Sequence, residues 1–151
     1  MSAPLILIVE DNETNQMLTV AVLERDGYRV LVAGDAVEAR HHLEAETPQL
    51  ILMDVQLPGE DGLAFTRQLK SNPATSPIPI VAITAHVMQG DAELAIKAGC
   101  SGYIAKPISL KELARVLQQV ANGEFHGATE EQAWIHAGGT GFAVGNGELH
   151  A

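Results

Sequence analysis

The stretch Leu50-Ile51-Leu52-Met53-Asp54 constrains this chain more than any other. Apolar residues run without alternation between Pro48 upstream and Pro58-Gly59 downstream, the mark of a short strand buried on both faces. Such a strand demands helices above and below a parallel sheet. The run then ends on a carboxylate. A charge at the mouth of an apolar strand is costly unless another group pairs with it. The carboxyl ends of the strands are also where open α/β sheets bind their ligands. The rest of the chain is therefore read for the partners of Asp54.

The same design recurs along the sequence. Leu5-Ile6-Leu7-Ile8-Val9 stops at Glu10-Asp11, Ile80-Val81-Ala82-Ile83 stops at Thr84, and Gly102-Tyr103-Ile104-Ala105 stops at Lys106-Pro107. Arg29 to Ala33 reads as a shorter strand. Helical stretches separate them. Asn12 caps the first, Leu18, Ala21 and Val22 form its predicted inward stripe, and Gly27 stops it. Asp35 with Glu38 resembles a capping box for a helix running to about Glu46. Asp61 caps a third helix, on which Phe65 and Leu69 share a face. The fourth is weakly specified, with Gly90 near its start and Gly99 at its end. Ser109-Leu110-Lys111-Glu112 opens the last as a capping box, followed by the stripe Leu113, Val116, Leu117 and Val120. Repeated β-α units with short connections predict a flavodoxin-like (βα)5 doubly wound parallel sheet, strand order 2-1-3-4-5. That order brings the ends of the first and third strands together, with the fourth and fifth alongside.

Composition sets the outer limits. The 151 residues suffice for one domain with a real core, expected over residues 1–122. Residues 123–151 read as a Gly-rich flexible tail with room for one short helix, capped at Thr129-Glu130-Glu131-Gln132 and running through Trp134 to Ala137. With nine Lys and Arg against a net charge of −10, the chain lacks the clustered cations that a nucleic-acid surface needs. Cys100 is the single cysteine, so no internal disulfide forms and a reducing compartment fits. The N-terminus has no basic segment, and the apolar run Leu5–Val9 is too short for an export signal or a membrane span. A cytoplasmic location is the expectation.

The predicted sheet edge collects Glu10, Asp11, Asp54, Thr84 and Lys106. Three crowded carboxylates repel one another, and a hard cation such as Mg2+, or Mn2+, is their natural neutraliser. An Asp carboxylate can attack phosphorus to form an acyl phosphate. The transition state of that transfer gathers charge on equatorial oxygens, which a cation, the Lys106 ammonium and the Thr84 hydroxyl are suited to meet. Taken singly, each residue has a plainer account: a cap, a turn, a solvated lysine. Their coincidence at one sheet edge points to phosphoryl chemistry.

Val9-Glu10-Asp11, Met53-Asp54 with Pro58-Gly59 and Gly62, Ala82-Ile83-Thr84-Ala85, and Gly102-Tyr103-Ile104-Ala105-Lys106-Pro107-Ile108 closely resemble the receiver domain of two-component response regulators, over residues 5 to about 121. The resemblance implies that Asp54 is the phosphoacceptor and Asp11 a direct Mg2+ ligand, with Glu10 acting through water and the Gln56 backbone carbonyl as a further ligand. It implies that Thr84 and Lys106 contact the phosphoryl group, that Thr84 and Tyr103 form the switch, and that Gln56 and His86 modulate phosphoryl lifetime. The Lys106-Pro107 bond is expected to be cis. The implied donor is a histidine kinase or a histidine phosphotransfer protein, and the implied output is a downstream protein target. A stand-alone, single-domain member that catalyses only its own phosphorylation and dephosphorylation is expected, rather than an enzyme. Two alternatives stand beside it. An Asp-nucleophile phosphohydrolase usually places a second carboxylate two residues after the nucleophile, where this chain has Gln56. A receiver-like interaction module that never takes phosphate would have no need of the acids, Thr84 and Lys106 together.

Overall fold

The computed structural model describes residues 4–85, 90–106, 109–121, 134–137 and 140–143. The elements follow in the order β1 (Leu5–Val9), α1 (Glu13–Arg25), β2 (Arg29–Ala33), α2 (Ala36–Ala45), β3 (Leu50–Asp54), α3 (Gly62–Ser71), β4 (Ile80–Thr84), α4 (Asp91–Ala98), β5 (Gly102–Ala105), α5 (Leu110–Ala121), β6 (Trp134–Ala137) and β7 (Thr140–Ala143). The first five strands are parallel in the order β2-β1-β3-β4-β5, as the strand pattern predicts.

Residues of β1, β3 and β4 are buried throughout, because helices cover both faces of the sheet. Strand alternation sorts the core into two clusters. Ile6, Ile8, Leu50, Leu52, Val81, Ile83 and Ile104 pack with Val22 and Leu23 of α1 and with Leu113, Val116 and Leu117 of α5. Leu7, Val9, Ile51, Met53, Ile80, Ala82 and Tyr103 pack on the other face, with Ala36 and Ala39 of α2, Leu63, Phe65 and Leu69 of α3, and Ala95 and Ala98 of α4.

The helix ends are set by the expected side chains. Asn12 Oδ1 accepts from the Asn15 N–H at 2.9 Å, Asp35 Oδ1 from Glu38 N–H at 2.8 Å, and Asp61 Oδ1 from Leu63 N–H at 2.8 Å. The capping box at α2 is displaced by one residue: Glu38 Oε1 accepts from Gly34 N–H, at 2.6 Å, rather than from the cap itself. Ser109 Oγ accepts from Glu112 N–H at 3.3 Å. Gly99 closes α4 in the left-handed conformation at φ 109°, where an L side chain would be strained.

Two sequence expectations are corrected. The buried stripe of α1 is Thr19, Val22 and Leu23, while Leu18 is 58% exposed and Ala21 also faces solvent. This helix is apolar almost all round between Leu18 and Leu23, so periodicity alone does not choose the inward face. In the tail, Trp134–Ala137 forms a strand and not a short helix, and it pairs antiparallel with β7. β7 in turn runs antiparallel along β5, extending the sheet to the order β2-β1-β3-β4-β5-β7-β6. Two short runs carrying Trp134, Ile135, Thr140 and Phe142, separated only by Gly138-Gly139, are a hairpin signal.

Candidate functional site

The acids come together because β1 and β3 are neighbours whose residues pair in register, Val9 opposite Met53. One residue further along each strand stand Glu10 and Asp54, both 1% exposed. Asp11 follows and is exposed. Carboxylate oxygens of Glu10, Asp11 and Asp54 lie within 4.8 Å of one another. On the other side of Asp54, β4 ends at buried Thr84, whose carbonyl accepts from Lys106 N–H at 2.8 Å. That bond fixes the point at which Lys106 leaves β5.

Both oxygens of Asp54 are engaged. Oδ1 accepts from the Gln56 N–H at 2.9 Å, and Oδ2 takes the Lys106 ammonium at 2.8 Å. The same Nζ lies 3.9 Å from Glu10 Oε1. One ammonium thus faces a set of three carboxylates, of which Glu10 is the one most perturbed. Burial first, then the hydrogen bond and negative charge of Asp54, push the Glu10 carboxyl from 4.5 up to about 7, against the opposing pull of the Asn12 N–H and Lys106. All-oxygen donors with one solvent-facing member fit a hard divalent cation that keeps part of its water shell.

The backbone beside Asp54 is closely packed. A Cβ on Gly62 would lie 2.0 Å from the Asp54 carbonyl oxygen, so the start of α3 approaches the strand end as only glycine allows. Arg40 of α2 braces the intervening loop. Its guanidinium pairs with Glu60 at 2.9 Å, donates to Gln68 Oε1 at 2.6 Å and stacks over Phe65 at 4.6 Å from the ring centroid.

Of the residues singled out in the sequence, Glu10, Asp11, Asp54, Thr84 and Lys106 meet at this edge. Gln56 is exposed beside it and contributes its N–H to Asp54. Tyr103 is wholly buried among the side chains under α2, α3 and α4, opposite Ala82 in the β4 register. Burial raises its phenol above the ordinary range. The expectations for His86 and for the Lys106-Pro107 bond lie outside the described residues. Two neighbours escaped the sequence reading. Gln16 Nε2 donates to the Glu10 carbonyl, and Asn15 Nδ2 approaches Glu10 Oε1 at 3.5 Å. Their signal was present: polar side chains three and four residues after the Asn12 cap share its side of α1.

Fold and acidic site together mark a signalling domain, and the chain belongs to the response regulator receiver domain family, whose model matches residues 6–118. The chain is 39% identical over 113 residues to the polar-differentiation response regulator DivK of Brucella anthropi, a match covering 75% of this chain and 92% of that protein. Among solved structures it is similar to the receiver domain of a sensor histidine kinase from Pseudomonas aeruginosa, determined with a magnesium ion in the active-site cleft. The TM-score is 0.74 and the identity 39%, covering 80% of this chain and 99% of that one. The receiver domain of a histidine kinase from Syntrophus aciditrophicus matches with a TM-score of 0.74 at 32% identity, covering 80% and 92%. No helix among the described residues is long and apolar enough to cross a membrane.

Proposed function

We propose that Asp54 accepts a phosphoryl group from a phosphohistidine donor. One observation carries this reading: the Asp54 carboxylate is buried at a strand end with each oxygen addressed by a separate group, Gln56 N–H on Oδ1 and Lys106 Nζ on Oδ2. An Asp54 oxygen attacks phosphorus, the P–N bond of the donor breaks as the new P–O bond forms, and the imidazole leaves with its electron pair and takes up a proton. Glu10, Asp11 and Asp54, with the Gln56 carbonyl, would hold Mg2+ or Mn2+, Glu10 acting through water. When bound, the cation supplies positive charge where the transferring phosphoryl group gathers negative charge. Lys106, already on Oδ2, follows the phosphoryl oxygens as the acyl phosphate forms, and the Thr84 hydroxyl donates to them.

Phosphorylation adds roughly −1.5 to −2 charges and three acceptor oxygens at this edge. Movement of Thr84 toward them changes the packing beside Tyr103, which is already enclosed, and repacking there moves the α4–β5–α5 face that a separate target protein reads. Gln56 and His86 set how long the phosphoryl group lasts. The donor is a histidine kinase or a histidine phosphotransfer protein in the cytoplasm. Residues from about 123 onward carry none of these groups and are dispensable for phosphorylation.

Treatment with acetyl phosphate and Mg2+, followed by mass spectrometry, places the label on Asp54. Asp54→Asn keeps shape and fold, checked by circular dichroism, and loses the label. An Asp54→Asn protein that labels as well as wild type overturns the proposal. Target binding with and without beryllofluoride, on wild type and Tyr103→Ala, tests the output. Couplings of this kind are commonly about 1–3 kcal/mol, or roughly 5- to 150-fold in affinity. Equal affinity in both states leaves a phosphoryl shuttle in place of a switch.

A further inference from the structure

We propose that Gln16, seconded by Asn15, is a positioning residue that holds Glu10 for cation binding as an uncharged clamp. The inference rests on the reading of Glu10, Asp11 and Asp54 as the cation site.

Glu10 is gripped at every polar atom. Its N–H donates to the Ala33 carbonyl of β2 at 2.9 Å. Its own carbonyl accepts from Gln16 Nε2. Oε2 accepts from the Asn12 N–H at 3.2 Å, and Oε1 faces Asn15 Nδ2 at 3.5 Å and Lys106 Nζ at 3.9 Å. The β2 bond and the Gln16 bond act on opposite sides of the residue, one through its nitrogen and one through its carbonyl. The carbonyl belongs to the peptide that joins Glu10 to Asp11. Its direction therefore also sets the direction in which Asp11 leaves β1. Without Gln16 that peptide is free to rotate toward solvent, and the exposed Asp11 carboxylate turns with it.

The chemistry of the clamp matters as much as its reach. Both side chains are half-buried amides, which donate strong hydrogen bonds and carry no charge. A lysine or arginine in either place would orient Glu10 equally well but would repel an incoming cation and neutralise the acid that is to receive it. Among the described residues the one ammonium in the cluster is that of Lys106, which is bonded to Asp54 at 2.8 Å and stands 3.9 Å from Glu10. The α1 side is left electrically quiet, which keeps the acids competent for a divalent ion. Partners of this kind, which orient ligands without touching the metal, are typically worth about 10–100-fold in affinity.

The test uses Gln16→Met, which keeps the length and unbranched shape but has no donor. Two quantities are read on the full chain: the Glu10 carbonyl carbon resonance in metal-free protein, and the Mg2+ dissociation constant by calorimetry. The expected result is a shifted Glu10 carbonyl signal with Mg2+ binding weakened by roughly 10-fold. Thr75→Val, which removes a comparable bond from Thr75 Oγ1 to the Leu69 carbonyl, should move neither quantity. Gln16→Lys separates hydrogen bond from charge: the carbonyl signal should return while Mg2+ affinity stays low. Should Gln16→Met fail to fold, Asn15→Leu removes the second amide and should weaken Mg2+ binding in the same direction. A folded Gln16→Met protein that binds Mg2+ as tightly as wild type overturns the inference. Wild type that binds no Mg2+ overturns instead the cation-site reading on which it stands.

Discussion

Replacing Gly62 by alanine tests how tightly the start of α3 is built onto the phosphoacceptor strand. The added Cβ would sit 2.0 Å from the Asp54 carbonyl oxygen, 3.0 Å from the Asp54 carbonyl carbon and 3.0 Å from Val55 Cα. All three are backbone atoms, so no rotamer change relieves the overlap. The backbone of Gly62 lies outside the left-handed region, so the cost comes from size alone. Opening the contact from 2.0 Å to an ordinary 3.4 Å needs a shift of about 1.4 Å, and close-packed interiors resist overpacking of this kind at about 1–3 kcal/mol. The same shift strains the bond from Gly62 N–H to the Val55 carbonyl, now 3.0 Å, which is worth about 0.5–1.5 kcal/mol. Against this stands the better helix propensity of alanine, about 1 kcal/mol in a helix interior and less at a first residue. The balance is a loss of about 2–3 kcal/mol, or a fall in melting temperature of roughly 10 °C for a domain of this size. Thermal unfolding by circular dichroism in EDTA measures it directly. A Gly62→Ala protein that melts within about 2 °C of wild type, corresponding to well under 1 kcal/mol, refutes the argument.

Three further outcomes follow from named contacts. Because the folded protein holds the Glu10 proton up to about pH 7 while the unfolded chain releases it near 4.5, the stabilising contribution of Glu10 is complete below 4.5 and lost as pH rises through 7. Metal-free stability should fall across that window by on the order of 1–3 kcal/mol from this group, and Glu10→Gln should abolish that component; a wild-type minus Glu10→Gln difference that is flat with pH argues against it. The Cys100 thiol is fully buried, and burial pushes it up to about 12, so alkylation should proceed only as fast as the protein unfolds; native-state labelling at the rate of a free thiol is the contrary result. Lys70→Met keeps the side-chain stem but removes the ammonium that donates to the Ser76 carbonyl at 2.9 Å and the Ile78 carbonyl at 2.6 Å, which should cost about 1–3 kcal/mol in urea denaturation; no measurable loss would mean water replaces the lysine freely.

Much of this was legible in the sequence, for identifiable reasons. Each apolar run stops abruptly at a polar residue, so the strand ends could be placed to the residue, and with them Glu10, Asp54, Thr84 and Lys106. Caps such as Asn12, Asp35 and Asp61 were equally readable, since few side chains can reach the first free N–H groups of a helix. The inward face of α1 was not, because that helix offers apolar residues in nearly every direction and packing makes the choice. The strand order places Lys106 at the same sheet edge as Asp54, 52 residues away, but their direct 2.8 Å contact is set by side-chain geometry that only the fold shows. The contacts of Gln16 and Arg40 belong to the same class: polar side chains with ordinary helical surroundings in the sequence acquire their meaning from a loop elsewhere in the chain. Trp134–Ala137 forms a strand where a short helix is expected, because the helix expectation weighs only the cap at Thr129-Glu130-Glu131-Gln132, while the residues on either side of Gly138-Gly139 suit a hairpin.

The sheet that divides the core into two clusters also divides the molecule's tolerance to change. The two clusters pack on opposite faces of the sheet, and substitutions in them that share no contact and stand more than about 7–10 Å apart should add without interacting. Residues under α1 and α5 can therefore drift to suit one set of encounters while those under α2, α3 and α4 drift to suit another, neither history recorded in the other. Gln16 reaches the acids from the first side, and Tyr103 is enclosed on the second. The ends of β1, β3, β4 and β5 are where residues of both territories meet the acids, so a change in charge at Asp54 is placed to act on both.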